Sequence, residues 1–308
     1  SKVTKLNYIF DGASSFNQSI VDWNVSAVSD MTNMFGNSPT LSNANKGEIH
    51  KAFSTNQNWP YPNWSVYAVY TPLTDSNFQN AVNLWFSDEA NANATYGHIS
   101  DWNTSAVTNM SNAFQNRTNF DENITSWDVS NVTNMQMMFK TASAFNQPIG
   151  NWNTCNVTNM YQTFYAASTF NQGIDDWNTS AVTKMDGMFQ NASDFNGSIG
   201  NWDTCKVTNM SAMFQSAGSF NQDIGSWDVR AVTSMRSIFK FAGSFNQTID
   251  DWNMSSVSDM YQMFYNANSL SNGNKGEMHK TFSSNSNWPY PSWSAYAVYT
   301  PITDSNFQ

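Results

Sequence analysis

Residues 120–144 read FDENITSWDVSNVTNMQMMFKTASA, and residues 145–169 read FNQPIGNWNTCNVTNMYQTFYAAST. The two segments place apolar residues at the same positions of a 25-residue unit. The tryptophan of this unit recurs without a slip at Trp102, Trp127, Trp152, Trp177, Trp202, Trp227 and Trp252. A fixed period of this length is typical of an architecture in which successive coils stack on one another.

The other apolar columns keep the same period. In successive coils isoleucine precedes the tryptophan by three residues, valine follows it by five, methionine by eight and phenylalanine by twelve. A single coil cannot bury this set alone, because each aromatic side chain has roughly 150–250 Å² to remove from water. We therefore predict stacked coils in which like side chains lie on like and form one continuous core.

Within a coil, the pattern predicts one short strand and one short helix. Val132, Met135 and Phe139 lie at i, i+3 and i+7, which suits one or two helical turns capped by Thr133 or Ser130. The segment 124–129 is the predicted strand, and it would pair in parallel with its equivalents in neighbouring coils. The fold class predicted from the sequence is an α/β repeat solenoid with helical caps.

A longer repeat encloses the short one. Residues 41–48 read LSNANKGE and residues 270–277 read LSNGNKGE, at an offset of 229 residues. The sequence WPYP returns at the same offset, at 59–62 and 288–291. The chain is thus about one and a third copies of a larger module, and we interpret it as a segment of a longer tandem array.

The module boundaries follow from these repeats. The predicted segments are the last coils of a preceding module (1–40), a C-terminal cap and linker (41–73), an N-terminal cap helix (74–98), a seven-coil solenoid (99–269), a second C-terminal cap and linker (270–302) and the start of a further module (303–308). Terminal repeats are expected to be atypical because their outer faces meet water.

Two helices are predicted in the caps. Phe78, Ala81, Val82 and Trp85 fall on one helical face, so we expect a helix over 75–87 with a Thr or Asp near its start as cap. A second helix is expected over 46–53, and an extended linker over 67–72.

The coil pattern Phe-Asn-Gln-x-Ile-x-x-Trp-Asp/Asn-x-x-x-Val-x-x-Met-x-x-x-Phe resembles the 25-residue leucine-rich-type repeat of BspA-like and mycoplasma-type surface proteins. The NKGE…H…F…NWPY segment resembles the end piece of such arrays. The resemblance covers nearly the whole chain. It implies a leucine-rich-repeat-like solenoid that is secreted or exposed on a cell surface, and it supplies no catalytic residues.

The composition agrees with an extracellular location and excludes some partners. The net charge is −10 and only 12% of residues are charged, so the surface must consist mainly of Asn, Ser, Thr and Gln. A basic footprint for nucleic acid is missing, as are a polybasic membrane patch and an apolar run long enough to insert into a membrane. We expect no enzyme activity and no cofactor.

Asn-x-Ser/Thr sequons are abundant, and in a secreted eukaryotic protein they are candidate glycosylation sites. The sequons expected to be most exposed are Asn63, Asn93, Asn103, Asn116, Asn178, Asn191 and Asn253. Other sequons belong to a column with Asn146, Asn171 and Asn221, for which we favour a buried asparagine ladder that bonds backbone groups between coils.

The remaining polar residues give few signs of chemistry. Cys155 and Cys205 lie two coils apart, too far for a disulfide, and are expected to be small buried thiols, with an intermolecular bridge as the alternative. Sequences such as Asp176-Trp-Asn178 place two oxygen ligands near each other, which suits Ca²⁺, but hydrogen bonds within a turn are favoured.

Three functional classes remain open. The leading one is a structural protein whose tandem modules, by linkage or self-association, build an extracellular fibre or stalk. The second is an adhesin or receptor that binds protein or glycan, with a contact patch at Arg230, Arg236, Lys240 and Phe241. The third is ice binding by a threonine ladder formed by Thr108, Thr133, Thr158, Thr183, Thr208 and Thr233.

Overall fold

The computed structural model describes residues 3–298, which fall into two compact units divided between Asn103 and Thr104. The predicted start of a further module at 303–308 and the end of the second linker lie outside the described residues. The predicted module boundaries stay a prediction.

In the second unit, equivalent side chains of successive coils lie against each other. The rings of Phe139 and Phe164 stack with centroids 5.3 Å apart, and those of Trp202 and Trp227 stack at 6.1 Å. The isoleucine, valine and methionine columns of this unit are buried as well. The predicted core of like-on-like columns is confirmed.

The indole N–H groups tie each coil to the one before it. Nε1 of Trp177 donates a hydrogen bond of 2.9 Å to the carbonyl oxygen of Ile149, and Trp202 does the same to Ile174. Burying these indoles therefore leaves no unpaired donor, which is the condition under which a buried tryptophan stabilises a core.

A backbone hydrogen-bond ladder also joins the coils. In one coil, the N–H groups of residues 135, 137, 139 and 141 donate to the carbonyl oxygens of residues 159, 161, 163 and 165, over 2.7 to 3.0 Å. The intervening N–H groups of residues 138, 140 and 142 donate to carbonyl oxygens three residues earlier in the same coil. Each coil thus alternates between bonds to its neighbour and bonds within its own turns.

The predicted strand in each coil is wrong. No β-strand forms within residues 3–298, and the parallel pairing consists of isolated bridges one residue wide, such as Asn134 with Asn159. The bridges lie seven residues after the tryptophan, not in the segment 124–129. The protein is therefore not an α/β solenoid of the leucine-rich-repeat type.

The predicted short helix in each coil is also wrong, and the same backbone feature explains both corrections. Met137 has φ of 55° and Thr141 has φ of 60°, and the equivalent positions of the other coils in the second unit are left-handed as well. A left-handed residue ends an α-helix and interrupts an extended strand. The i, i+3, i+7 spacing of Val132, Met135 and Phe139 is satisfied by successive turns that bury the same side chains.

The first unit contains coils followed by two sets of cap elements. Its coils use the same bonds between neighbours, for example from the N–H of Leu6 to the carbonyl oxygen of Asp30. The elements that follow are α1 (Asn43–Phe53), a 3-10 helix (Pro62–Tyr67), α2 (Phe78–Ser87), α3 (Glu89–Tyr96) and a second 3-10 helix (Ile99–Asp101).

Both predicted cap helices form, with shifted starts. α1 begins three residues earlier than predicted, because the Ser42 hydroxyl caps it by accepting the N–H of Asn45. α2 begins three residues later than predicted: its N-cap is Asn77, whose side chain accepts the N–H of Thr74 and makes no cap bond to the helix. The predicted buried face of α2 is confirmed. α3 is a separate helix within the segment predicted as one cap helix.

The second unit ends with a copy of the first set of cap elements. Helix α4 (Asn272–Phe282) is capped by Ser271, and a 3-10 helix (Pro291–Tyr296) follows it. Gly276 packs closely against the 3-10 helix: a Cβ atom at this position would lie 2.3 Å from the carbonyl oxygen of Tyr296, which is a steric clash. The close approach of α4 to the 3-10 helix therefore requires glycine, and Gly47 has the same position against Tyr67.

The asparagine ladder is confirmed, but it is not buried. Oδ1 of Asn146 accepts the N–H of Asn171, and Oδ1 of Asn171 accepts the N–H of Asn196 over 2.7 Å. These side chains are half-buried or exposed, because the row lies at the edge of the coils. It satisfies backbone donors at the outer boundary of the core.

Candidate functional site: the junction between modules

The first unit contains the segment in which the sequence predicts that one module ends and the next begins. In the predicted module scheme, helix α1 and its 3-10 helix belong to the end of the preceding module, and α2 and α3 to the start of the following one. Helices α1 and α3 contact each other. This junction is a candidate functional site because it joins the two repeats that the sequence identifies.

Asn93 of α3 is the polar anchor of the junction. It is 1% exposed, and its Nδ2 lies 3.4 Å from the carbonyl oxygen of Lys51 and 3.3 Å from the hydroxyl of Ser54. These acceptors lie at the carboxyl end of α1, where helix carbonyls have no partner within the helix. Helix α3 thus supplies hydrogen bonds to groups at the end of α1.

The linker is tied to the same place. The N–H of Thr71 donates to the carbonyl oxygen of Thr95 over 2.8 Å, and the Tyr70 ring lies against Gly97. The linker between the modules is therefore bonded to α3 instead of running freely past it.

The second copy of the cap exposes the equivalent surface. Ala52, Ser54 and Tyr67 are half-buried in the first copy, whereas their counterparts Thr281, Ser283 and Tyr296 are exposed. The side chain of Lys51 is 16% exposed, against 28% for Lys280. The surface that α3 and the linker cover in the first copy is thus more open in the second.

A buried histidine–tryptophan pair supports each C-terminal cap. The indole Nε1 of Trp59 donates to Nδ1 of His50 over 3.1 Å, and Trp288 donates to His279 over 3.2 Å. Burial lowers the pKa of His50, and this outweighs a hydrogen bond with the Tyr61 backbone that raises it. The neutral imidazole of His50 is the form that accepts the indole N–H, so the His50–Trp59 pair has a structural role at neutral pH.

Sequence reasoning predicted the caps but missed the junction between them. The available signal was the strictness of the 229-residue repeat in NKGE, His50 and WPYP, which varies less between copies than the exposed positions of the coils. That signal gives no indication that Asn93 contacts α1, since Asn93 lies outside these repeated stretches.

Three of the four residues of the predicted contact patch, Arg236, Lys240 and Phe241, contact exposed tyrosine rings. The guanidinium of Arg236 lies 4.5 Å from the Tyr261 ring centroid, and Lys240 Nζ lies 5.7 Å from that of Tyr265. Phe241 packs edge-on against Tyr265 and is 44% exposed. The structure thus adds two tyrosines that the sequence analysis did not include.

Arg230 makes a different set of contacts from the rest of the predicted patch. Its guanidinium pairs with the carboxylate of Asp228. We therefore define the aromatic-cationic patch as Arg236, Lys240, Phe241, Tyr261 and Tyr265.

The sequons differ in exposure. Asn93 was expected to be exposed and is buried, so this expectation is wrong: a glycan has no room where its amide contacts α1. Asn191 is half-buried and lies in the left-handed region, at φ of 61°. The remaining candidates are exposed, and they are Asn63, Asn103, Asn116, Asn178 and Asn253.

The oxygen pairs near the tryptophans take part in turns. Oδ1 of Asn178 accepts both the N–H and the hydroxyl of Ser180, and Asn253 accepts the N–H of Ser255. The favoured hydrogen bonds within turns are confirmed at these positions. Within residues 3–298, no three side chains of the His, Cys, Asp and Glu types gather as metal ligands would.

The threonine ladder is present as one exposed row beside the bridges between coils. The hydroxyl of Thr158 donates to the carbonyl oxygen of Thr133, and that of Thr183 donates to Thr158, each over 3.2 Å. The hydroxyl protons are thus directed along the stack. The row does not start helical turns, because no helix begins at any of these threonines.

Both cysteines are free, as predicted, but neither is buried. Cys155 is half-buried and Cys205 is exposed. A hydrogen bond to Asp203 is the main cause that raises the pKa of the Cys205 thiol. The expectation of buried thiols is wrong because this position lies just outside the core.

No helix within residues 3–298 combines the length and the apolar character needed to cross a bilayer. No curated protein and no solved structure matches the chain. The family described as "Mycoplasma protein of unknown function, DUF285" matches residues 1–58, 80–199 and 162–276. Because these matches cover well over half of the sequence, the chain belongs to this family of repeat proteins of unknown function.

Proposed function

We propose that the chain is a non-enzymatic structural protein of a cell surface or extracellular layer, in which tandem modules build a fibre or stalk. The observation that carries this proposal is Asn93, which is buried in α3 and bonded to the end of α1. A linker between independent domains needs no such contact, whereas a load-transmitting array needs each module to hold the next.

Two further observations support the proposal. The second cap keeps Lys280, Ser283 and Tyr296 at the positions of Lys51, Ser54 and Tyr67, which supports the same kind of junction at this cap. The coils use hydrogen bonds and apolar columns that repeat without interruption, which lengthens a structure without creating a distinct site.

The direct test is electron microscopy of the native material with gold-labelled antibodies raised against the full chain. We expect label at regular intervals along fibres or stalks outside the cell. Label confined to the cell interior, or on dispersed single particles, would contradict the proposal.

The fixed junction is tested separately by the substitution Asn93→Lys. A lysine at this buried position removes two hydrogen bonds and leaves an unpaired charge, so we expect faster amide hydrogen exchange in α1 and α3. Ala90→Lys is the matched control, because it places the same charge on an exposed position of α3. Equal exchange in both variants would show that the junction is not held by Asn93.

We further propose glycan attachment at the exposed sequons if the source secretes the protein through a glycosylating pathway. Asn178 is the sharpest case, since it is exposed and lies in a well-bonded turn. Mass spectrometry of peptides from native material should show glycan mass at Asn178 and unmodified Asn93. A modified Asn93 would contradict the proposed burial of this site in the mature protein.

A second candidate function, adhesion, is favoured by the aromatic-cationic patch. Exposed tyrosines beside arginine and lysine are typical of protein-binding surfaces. If this patch binds, Arg236→Ala should weaken attachment of the labelled chain to the cells or matrix of its own source, and Arg230→Ala should not. Equal attachment of both variants would remove this candidate.

A further inference from the structure

A cavity of about 610 Å³ opens at the junction between the modules. One side is formed by the preceding cap, through His50, Gln57 and Trp59, and the other by the following cap, through Tyr96, His98 and Asp101. Its volume falls within the range of about 300–1,000 Å³ that is typical of ligand sites. Residues of both caps and of the linker between them line this space.

The lining has a distinct chemical character. It contains no lysine or arginine, and Asp101 is its one carboxylate. The other polar groups are neutral amides, hydroxyls and imidazoles, which include Gln57, Ser65 and His98. Such a lining gives phosphate or carboxylate ligands no cation to pair with, and it favours a ligand that both donates and accepts hydrogen bonds.

The imidazole of His98 has a defined hydrogen-bonding role. Its Nδ1 lies 3.3 Å from the backbone N of Ser100 and accepts that N–H. The Ser100 hydroxyl lies 2.8 Å from the same nitrogen. With Nδ1 as the acceptor, the N–H of the neutral ring is on Nε2, so His98 offers a donor and the Asp101 carboxylate offers acceptor oxygens. A hydroxyl group can both donate and accept, so it suits a lining that offers donors and acceptors.

Aromatic rings supply the apolar part of the lining. Tyr70 and Tyr96 are half-buried, and Trp59 is 9% exposed. The face of a sugar ring carries C–H groups that pack on an aromatic ring, while its hydroxyl groups reach polar side chains at the edge. Aromatic faces surrounded by neutral polar groups are thus complementary to a saccharide.

We propose that the junction cavity is a binding site for a short neutral saccharide, held by Asp101 and His98 through its hydroxyl groups and by the aromatic residues through its ring faces. The inference rests on the proposed function in one respect, because the cavity needs the two caps to be joined. The preceding half recurs at His279, Asn285, Trp288 and Ser294, so a further junction would form a further site.

The experiment is saturation-transfer difference NMR on the full chain with maltose, cellobiose, lactose and N,N′-diacetylchitobiose as probes. Glucose 6-phosphate and choline serve as anionic and cationic comparison ligands. The variant is Asp101→Ala, and its matched control is Asp176→Ala, which removes an exposed aspartate at the same position of another coil, outside the cavity.

We expect a signal from at least one neutral disaccharide that weakens at least tenfold in Asp101→Ala and persists in Asp176→Ala. Four outcomes would overturn the inference: no signal from any neutral probe, a stronger signal from either charged ligand, a signal that both variants lose, or one that neither loses. These outcomes are distinct from failure of the fixed junction, which is read from hydrogen exchange in Asn93→Lys without any ligand.

Discussion

At the residue scale, a few side chains determine how the polar groups of this protein are satisfied. The tryptophans donate to isoleucine carbonyl groups of the coil before them, and asparagines accept backbone N–H groups of the coil after them. In the caps, His50 accepts the indole proton of Trp59. Each of these contacts satisfies a group whose burial would otherwise cost about 1–3 kcal/mol.

His50 makes stability depend on pH. Its folded-state pKa lies below the ordinary value of about 6.5 because burial disfavours the charged ring. The unfolded chain therefore takes up this proton first as the pH falls. The contribution is fully present above about pH 6.5 and is lost as the pH falls toward the folded-state pKa.

We therefore expect the difference in unfolding free energy between the protein and His50→Gln to shrink between about pH 7.5 and pH 5. Urea denaturation at several pH values, followed by tryptophan fluorescence, measures this difference. A difference that stays constant over the range would contradict the role assigned to His50.

At the element scale, the coils show how a stack can form without strands. Two left-handed positions in each coil, four residues apart, turn the backbone so that alternate N–H groups point to the neighbouring coil. The residues at these positions are mostly not glycine, and L-residues in this region are strained by about 1–2 kcal/mol. The bonds to the neighbouring coil hold them there.

Two adjacent alanines test this backbone feature. Ala166 has φ of 54°, so Ala166→Gly should relieve strain and raise the unfolding free energy by about 0.5–1 kcal/mol after the entropic cost of glycine. Ala167 is fully buried, so Ala167→Gly should lower it. Thermal denaturation of both variants measures the effect, and destabilisation of equal size in both would refute the assignment.

Two glycines of α4 test the close approach in the cap. A Cβ at Gly276 would meet the Tyr296 carbonyl oxygen at 2.3 Å, so Gly276→Ala should destabilise the cap by about 1–3 kcal/mol. At Gly273 the nearest atom is the Ser271 hydroxyl at 3.8 Å, so Gly273→Ala should stabilise the helix by up to about 1 kcal/mol. Guanidinium denaturation measures the unfolding free energy of both variants. A change of the same sign in both would contradict the close approach of Gly276 to Tyr296.

At the scale of the whole molecule, charge has a small role in the fold. The ion pairs within residues 3–298, such as Lys51 with Glu48, involve partly or fully exposed side chains. Exposed pairs contribute little, with a median of about 0–1 kcal/mol each. Stability must come from the apolar columns and from the hydrogen bonds between coils.

We therefore expect the unfolding free energy to change by less than about 1 kcal/mol between roughly 0.05 M and 1 M sodium chloride, since salt screens only surface charges. Urea denaturation at each salt concentration measures this, because urea is uncharged. A large loss of stability in high salt would show that charge pairs matter more than the structure indicates.

The sequence by itself determined the core, since a strict 25-residue period buries its apolar columns when equivalent positions lie over each other. It also determined the cap helices and the exchange of hydrogen bonds along the asparagine row. Only the tertiary structure decided the backbone conformation within a coil. The spacing of Val132, Met135 and Phe139 fits helical turns and turns with left-handed residues equally well. The backbone N–H groups bond to carbonyl oxygens of the neighbouring coil because these lie within hydrogen-bonding distance once the coils have stacked. The tertiary structure also decided the junction: nothing local distinguishes Asn93 from the exposed sequons, and it is buried because α3 folds back onto the end of α1.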